Sequence, residues 1–108
     1  MAIVYSLVRF RGLKNSEGKY CALVLEIKAH DPEDDNPHTG TVYDSGSVEI
    51  TPVETLTQAI VDGAVDTLKA LDVGGYTVAQ NMADTITARQ AAPPVQYEDL
   101  EYSALPES

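Results

Sequence analysis

The sequence predicts an α+β fold in which an antiparallel sheet of three or four strands is followed by two helices. The first half of the chain holds runs rich in β-branched and aromatic residues, and the second half holds two apolar stripes at helical spacing. The length of 108 residues suits one domain. We therefore expect a single domain over residues 1–92 and an extended, acidic C-terminal arm over residues 93–108.

The first two strands are predicted over residues 2–11 and 19–29. Residues 2–11 lack proline and glycine and are rich in strand-forming side chains. The intervening segment contains Gly12 and Gly18, which indicates a turn, so the two strands should form an antiparallel hairpin. One face of the second strand should carry the alternating residues Cys21, Leu23, Leu25, Ile27 and Ala29.

A further pair of short strands is predicted over residues 41–43 and 47–51. The residues Asp44-Ser45-Gly46 between them are typical of a hairpin turn. A single strand with a bulge at Gly46 is the other interpretation. Either interpretation completes a sheet of three or four strands.

The segment from Thr51 to Glu54 has the pattern of a helix start. Threonine can cap a helix, proline suits the first helical position, and a glutamate here completes a capping box. This pattern predicts a first helix over about 52–72, which Gly74-Gly75 would end. Its apolar stripe comprises Leu56, Ile60, Val61, Ala64, Val65, Leu68 and Leu71.

A second helix is predicted over about 78–91. Thr77 can cap it, and Pro93-Pro94 would terminate it because proline cannot continue a helix. Its apolar row comprises Val78, Met82 and Ile86. The stripes of the two helices should cover one face of the sheet.

Charge is distributed unevenly along the chain. Residues 1–28 hold five bases and two acids, a net of +3, whereas residues 29–108 hold two bases and fifteen acids, a net of −13. Because a protein that binds nucleic acid or an anionic membrane needs a basic face, we expect neither as a partner. A basic hairpin on an acidic body can instead orient neighbouring copies. Acidity can also simply keep a protein soluble.

The chain shows no sign of export or membrane insertion. No apolar run approaches the roughly 18 residues of a membrane span. The N-terminus lacks a basic region followed by an apolar core. We expect a protein that is neither secreted by a signal peptide nor membrane-spanning, located in the cytoplasm or in a virion.

The stretch HDPEDDNPH, residues 30–38, is the densest group of metal-binding residue types. It departs from the calcium-loop pattern, since no glycine follows Asp35 and Val42 takes the place of the final glutamate. A zinc site would use His30 and His38, at the two ends of a loop with two prolines. We expect a connection whose carboxylates stay in water, with no metal and no cofactor.

The sequence contains no recognisable catalytic motif. It lacks a nucleophile elbow, a phosphate-binding glycine loop and a C-x-x-C pair. The two glycines before Thr77 could bind an anion at a helix N-terminus, but the acidic surroundings oppose it. We expect no catalytic residues and a protein that is not an enzyme.

Two segments are the predicted contact surfaces for protein partners, either further copies or other subunits. The acidic arm carries spaced apolar residues that can dock on a neighbour, namely Tyr97, Leu100, Tyr102 and Leu105. The hairpin carries most of the positive charge, with contact residues Arg9, Arg11, Lys14 and Lys19.

The sequence supports three hypotheses for function. The favoured one is a non-enzymatic structural subunit of a symmetric assembly, such as a tail, neck or capsid-cementing component of a virus or phage particle. The first alternative is a soluble acidic inhibitor that mimics nucleic acid. The second alternative is a divalent-cation-binding module that uses the loop 30–38.

Overall fold

The computed structural model describes residues 2–92 and 98–107. It confirms the α+β fold, with a three-stranded antiparallel sheet, a second sheet of two short strands, and two α-helices. The strands and helices in chain order are β1 Val4–Lys14, β2 Tyr20–His30, β3 Thr41–Val53, α1 Gln58–Ala70, β4 Asp72–Val73, β5 Tyr76–Thr77 and α2 Val78–Ala91.

The central strand of the main sheet is β2, which lies between β1 and β3 and is antiparallel to both. Its side chains alternate between the two faces, as the sequence predicts. Residues on one face have intermediate exposure. Those on the other face pack against the helices and are fully buried: Leu23, Leu25, Ile27 and Ala29.

The strands β1 and β2 form the predicted hairpin, with a shorter turn than the sequence predicts. The side-chain Oδ1 of Asn15 accepts hydrogen bonds from the backbone N–H groups of Glu17 and Lys19, both at 3.0 Å. Gly18 has a φ of 76°, a conformation that favours glycine. The turn is therefore held by its own hydrogen bonds. We call β1, this turn and β2 the basic hairpin.

The prediction of two short strands at 41–43 and 47–51 is wrong, because β3 is one strand. It pairs with β2 in an unbroken register over residues 41–49, so Gly46 is neither a turn nor a bulge residue. A Cβ at Gly46 would lie 2.7 Å from Cδ1 of Leu68 in α1. The glycine thus permits close approach of the helix to the sheet, and in the sequence it resembles a turn signal.

The prediction of a first helix over 52–72 is right in its middle and wrong at its start. Residues 51–53 continue β3, and Val53 pairs with Tyr20 of β2. The helix α1 begins at Gln58, where Thr57 caps it by accepting a hydrogen bond from the backbone N–H of Ile60 at 3.3 Å. Thr51 and Thr57 both fit the local pattern of a helix cap. Because Thr51 belongs to β3, the helix begins after Thr57.

The glycines Gly74-Gly75 turn a small hairpin between β4 and β5, which differs from their predicted role as a helix stop. Their φ values of 68° and 95° suit a two-residue hairpin turn. This hairpin leads into α2, which occupies the predicted residues 78–91. Thr77 caps α2 by accepting a hydrogen bond from the backbone N–H of Gln80 at 3.1 Å.

The core lies between one face of the sheet and the two helices. The helices contribute the buried residues Val61, Ala64, Leu68, Val78, Met82 and Ile86. No residue of β1 is fully buried. The hydroxyl of Tyr5 nevertheless ties β1 to α2 by donating a hydrogen bond to the carbonyl oxygen of Ala79 at 2.8 Å.

Candidate interaction surface

The outer strand β1 exposes four large apolar side chains. Proteins usually protect such an edge with charge, with a bulge or with a covering element. In β1 the pairing with β2 shifts between Leu7 and Arg9, which is a bulge, and three basic residues follow it. The apolar side chains are still 52, 44, 47 and 43% exposed at Val4, Val8, Phe10 and Leu13.

The four predicted basic contact residues all lie on the basic hairpin, in two pairs. Lys14 and Lys19 flank the turn, and Nζ of Lys14 lies 5.0 Å from the ring centroid of Tyr20. Arg9 and Arg11 lie on the sheet face opposite the helices. There they line a depression of about 430 Å³, together with Val24, Glu26 and Ser45.

The Arg9 guanidinium stays available to a partner despite an ion pair within the hairpin. Its Nη2 lies 3.1 Å from Oε2 of Glu26, and the Arg9 side chain is 78% exposed. Such solvated pairs contribute about 0–1 kcal/mol to stability, so the pair with Glu26 does not prevent Arg9 from binding an acidic group of a neighbour.

A second depression, of about 410 Å³, lies where α1 begins, and the sequence patterns did not predict it. Its apolar lining includes Leu7 and Phe10 of β1 together with Leu56 and Val61. The signal for it was present in the sequence, because β1 has apolar residues on both of its faces. A strand of this kind cannot bury all of them against one layer of helices.

The described part of the arm, residues 98–107, is exposed throughout. It contains four acidic residues and no base. A short 3₁₀ turn spans Tyr102–Ala104. Three of the predicted contact residues are 67, 90 and 47% exposed, namely Leu100, Tyr102 and Leu105. The fourth, Tyr97, lies outside the described residues.

The acidic loop that follows β2 is tied to α2 through one amide. Nε2 of Gln90 donates to Oδ2 of Asp31 at 2.8 Å and to Oδ2 of Asp34 at 3.1 Å. Asp31 is only 6% exposed, so the prediction that the carboxylates of this loop stay in water is wrong for it. Hydrogen bonds from the Thr39 hydroxyl, at 2.6 Å, and from the backbone N–H of Asn36 hold the pKa of Asp34 below its ordinary value.

The polar groups of this loop serve its own structure. Nδ1 of His30 lies 3.0 Å from Oγ1 of Thr41 and 3.2 Å from the carbonyl oxygen of Gly40. Over residues 2–92 and 98–107, no three His, Cys, Asp or Glu side chains come together as metal ligands would. These contacts favour a hydrogen-bonded connection from β2 to β3 as the role of the loop.

No protein-family model matches the chain, and no curated protein or solved structure matches it either. In the part of the chain that the structure describes, no helix is long and apolar enough to cross a membrane. The two helices have 13 and 14 residues, whereas a span needs about 20.

Proposed function

We propose that the protein is a non-enzymatic structural subunit of a symmetric assembly, of the kind that builds the tail, neck or capsid-cementing parts of virus and phage particles. The basic hairpin and the C-terminal arm join each copy to its neighbours. One observation carries this proposal: both of these segments hold large apolar side chains in solvent. They are Val4, Val8, Phe10 and Leu13 on β1, and Leu100, Tyr102 and Leu105 on the arm.

Burial of these side chains in an interface would be favourable, since removal of apolar surface from water yields about 25 cal/mol per Å². Their chemical surroundings also fit contacts between copies. The charged residues of the arm are all acidic and those of β1 are all basic, and surfaces of opposite charge favour association between copies.

Several groups that could perform chemistry have structural partners. The carboxylates of Asp31 and Asp34 accept hydrogen bonds from Gln90, and His30 lies within hydrogen-bond distance of Thr41. The thiol of Cys21 lies 3.6 Å from the carbonyl oxygen of Leu13. This arrangement supports a structural use of these residues.

Deletion of residues 95–108 tests the proposal. Among residues 2–92 and 98–107 the buried core residues all lie between Leu23 and Ile86, so the truncated protein should remain folded. It should no longer assemble, because it lacks the exposed apolar residues of the arm. Light scattering gives the mass of wild-type and truncated protein at equal concentration, and circular dichroism checks the fold.

A pair of substituted proteins serves as the matched control. Replacement of Leu100, Tyr102 and Leu105 by serine keeps the length and the charge of the arm and should also prevent assembly. Replacement of Glu101 and Glu107 by glutamine keeps the apolar residues and should weaken assembly less than the serine replacements do. A truncated protein that assembles like the wild type would contradict the role of the arm.

A further inference from the structure

We infer, building on the proposed function, that copies join edge to edge, with β1 of one copy adding to β3 of the next. The sheet then continues from copy to copy. This joint identifies which surface of the neighbour receives the basic hairpin. The partner it requires is a second copy of this chain.

Both outer strands are long enough for such a joint. The sheet order places β1 and β3 at its two edges, with 11 and 13 residues. Beyond the bulge, residues 9–13 keep a regular register with β2, and β3 is regular over 41–49. An edge strand leaves backbone N–H and C=O groups on its outer side, and another strand can satisfy them.

Charge selects which edges meet. β1 contains Arg9, Arg11 and Lys14 and no acid, whereas β3 contains Asp44 and Glu49 and no base. A joint between two β1 strands, or between two β3 strands, would bring like charges together, which is destabilising. A joint between β1 and β3 brings opposite charges together, which both favours and orients the encounter.

The use of two different edges limits the type of symmetry. Since β1 and β3 are each antiparallel to β2, they are parallel to one another within a copy. A rotation axis along the strands would therefore place β1 parallel to β3 of the next copy. Such a head-to-tail joint uses two different surfaces, so it generates a closed ring or a helical array rather than a two-fold dimer.

The joint would also cover the apolar side chains of β1. Phe10 is 47% exposed and Leu13 is 43% exposed, and both belong to the regular stretch 9–13. A strand added at this edge would lie beside them. The arginines on the open face of β1 would then lie near the acidic edge of the neighbour, where Glu49 is exposed.

Charge reversal on each edge tests the joint. One variant carries Arg11→Glu and Lys14→Glu on β1, and a second carries Asp44→Lys and Glu49→Lys on β3. A third carries all four changes and keeps the net charge of −10. The control carries Asp35→Lys and Asp66→Lys, two exposed positions away from both edges, and has the same net charge as the second variant.

Light scattering should give the 11.6 kDa monomer for the first and second variants and the wild-type mass for the control. The third variant should regain the wild-type mass, because its edges are again opposite in charge. An equal mixture of the first two variants should also assemble, since each supplies the edge that the other needs. Thermal unfolding confirms that every variant is folded.

Two outcomes would overturn the joint while leaving the proposed function in place. In one, the variants reversed on a single edge assemble like the wild type. In the other, reversal on β1 prevents assembly and reversal on β3 does not, which would identify a different partner for β1, such as the acidic arm. Wild-type protein that is monomeric at every concentration would overturn the joint and the proposed function together.

Discussion

At the scale of single residues, two glycines have opposite roles. Gly46 lies under α1, where any Cβ would meet the buried side chain of Leu68. Gly63 lies on the exposed face of α1, where a Cβ would meet nothing within 4 Å. The first glycine permits helix–sheet packing, and the second only weakens a helix by adding backbone freedom.

The same substitution should therefore have opposite effects at the two positions. Gly63→Ala should raise the free energy of unfolding by about 0.5–1 kcal/mol, through helix propensity. Gly46→Ala should lower it by about 1–3 kcal/mol, because Leu68 must move within a packed core. Urea unfolding of the two variants beside the wild type measures both values. A stabilising Gly46→Ala would show that α1 does not pack this closely.

Asp34 gives the acidic loop a defined pH dependence. Hydrogen bonds from Thr39, from the backbone of Asn36 and from Gln90 lower the pKa of its carboxyl group from the ordinary 3.8. A carboxyl group whose pKa is lower in the folded state than in the unfolded state contributes stability at a pH above its unfolded-state pKa. That contribution is lost as the pH falls through the folded-state pKa.

Wild-type protein should therefore lose stability below about pH 4 more steeply than Asp34→Asn, with the two curves converging as the carboxylate is protonated. The measurement is the free energy of unfolding from pH 7 down to pH 2. Asp35→Asn removes the same charge at an exposed neighbour and should keep the wild-type slope. Equal slopes for wild type and Asp34→Asn would contradict the loop's hydrogen-bond pattern.

At the scale of elements, local patterns predicted the middle of each element and tertiary pairing decided several ends. The alternation in β2 and the apolar row of α2 are local, and both predictions are confirmed. The break predicted in β3 and the cap predicted at Thr51 are wrong, because partners distant in sequence determine them. The pairing with β2 continues across the predicted break at Gly46, and Thr51 belongs to β3.

The two candidate caps of α1 can be told apart by substitution. Thr57→Ala removes the acceptor for the Ile60 N–H and should lower the free energy of unfolding by about 1 kcal/mol. Thr51→Ala changes an exposed residue of an edge strand and should cost about 0.5 kcal/mol or less. Thermal unfolding compares them. A larger loss at Thr51 would place the helix start where the sequence pattern suggested.

At the scale of the whole molecule, the fold places four exposed apolar side chains and three basic residues on one edge strand, β1. The sequence predicts Arg9, Arg11, Lys14 and Lys19 as contact residues because they stand out against an acidic chain, and the structure places all four on the basic hairpin. The sequence was not sufficient to show that Val8 remains exposed. That exposure follows from the position of β1 at the edge of the sheet, which depends on how three distant segments pair.

Self-association of the wild-type protein is the central claim, and its mass in solution tests this claim most directly. Light scattering over a range of concentrations, at low and at high salt, should show a defined oligomer or a growing array built from 11.6 kDa units. High salt should weaken it, because exposed charges help to join the copies. A monomer at every concentration and salt would contradict the account and would favour the acidic inhibitor.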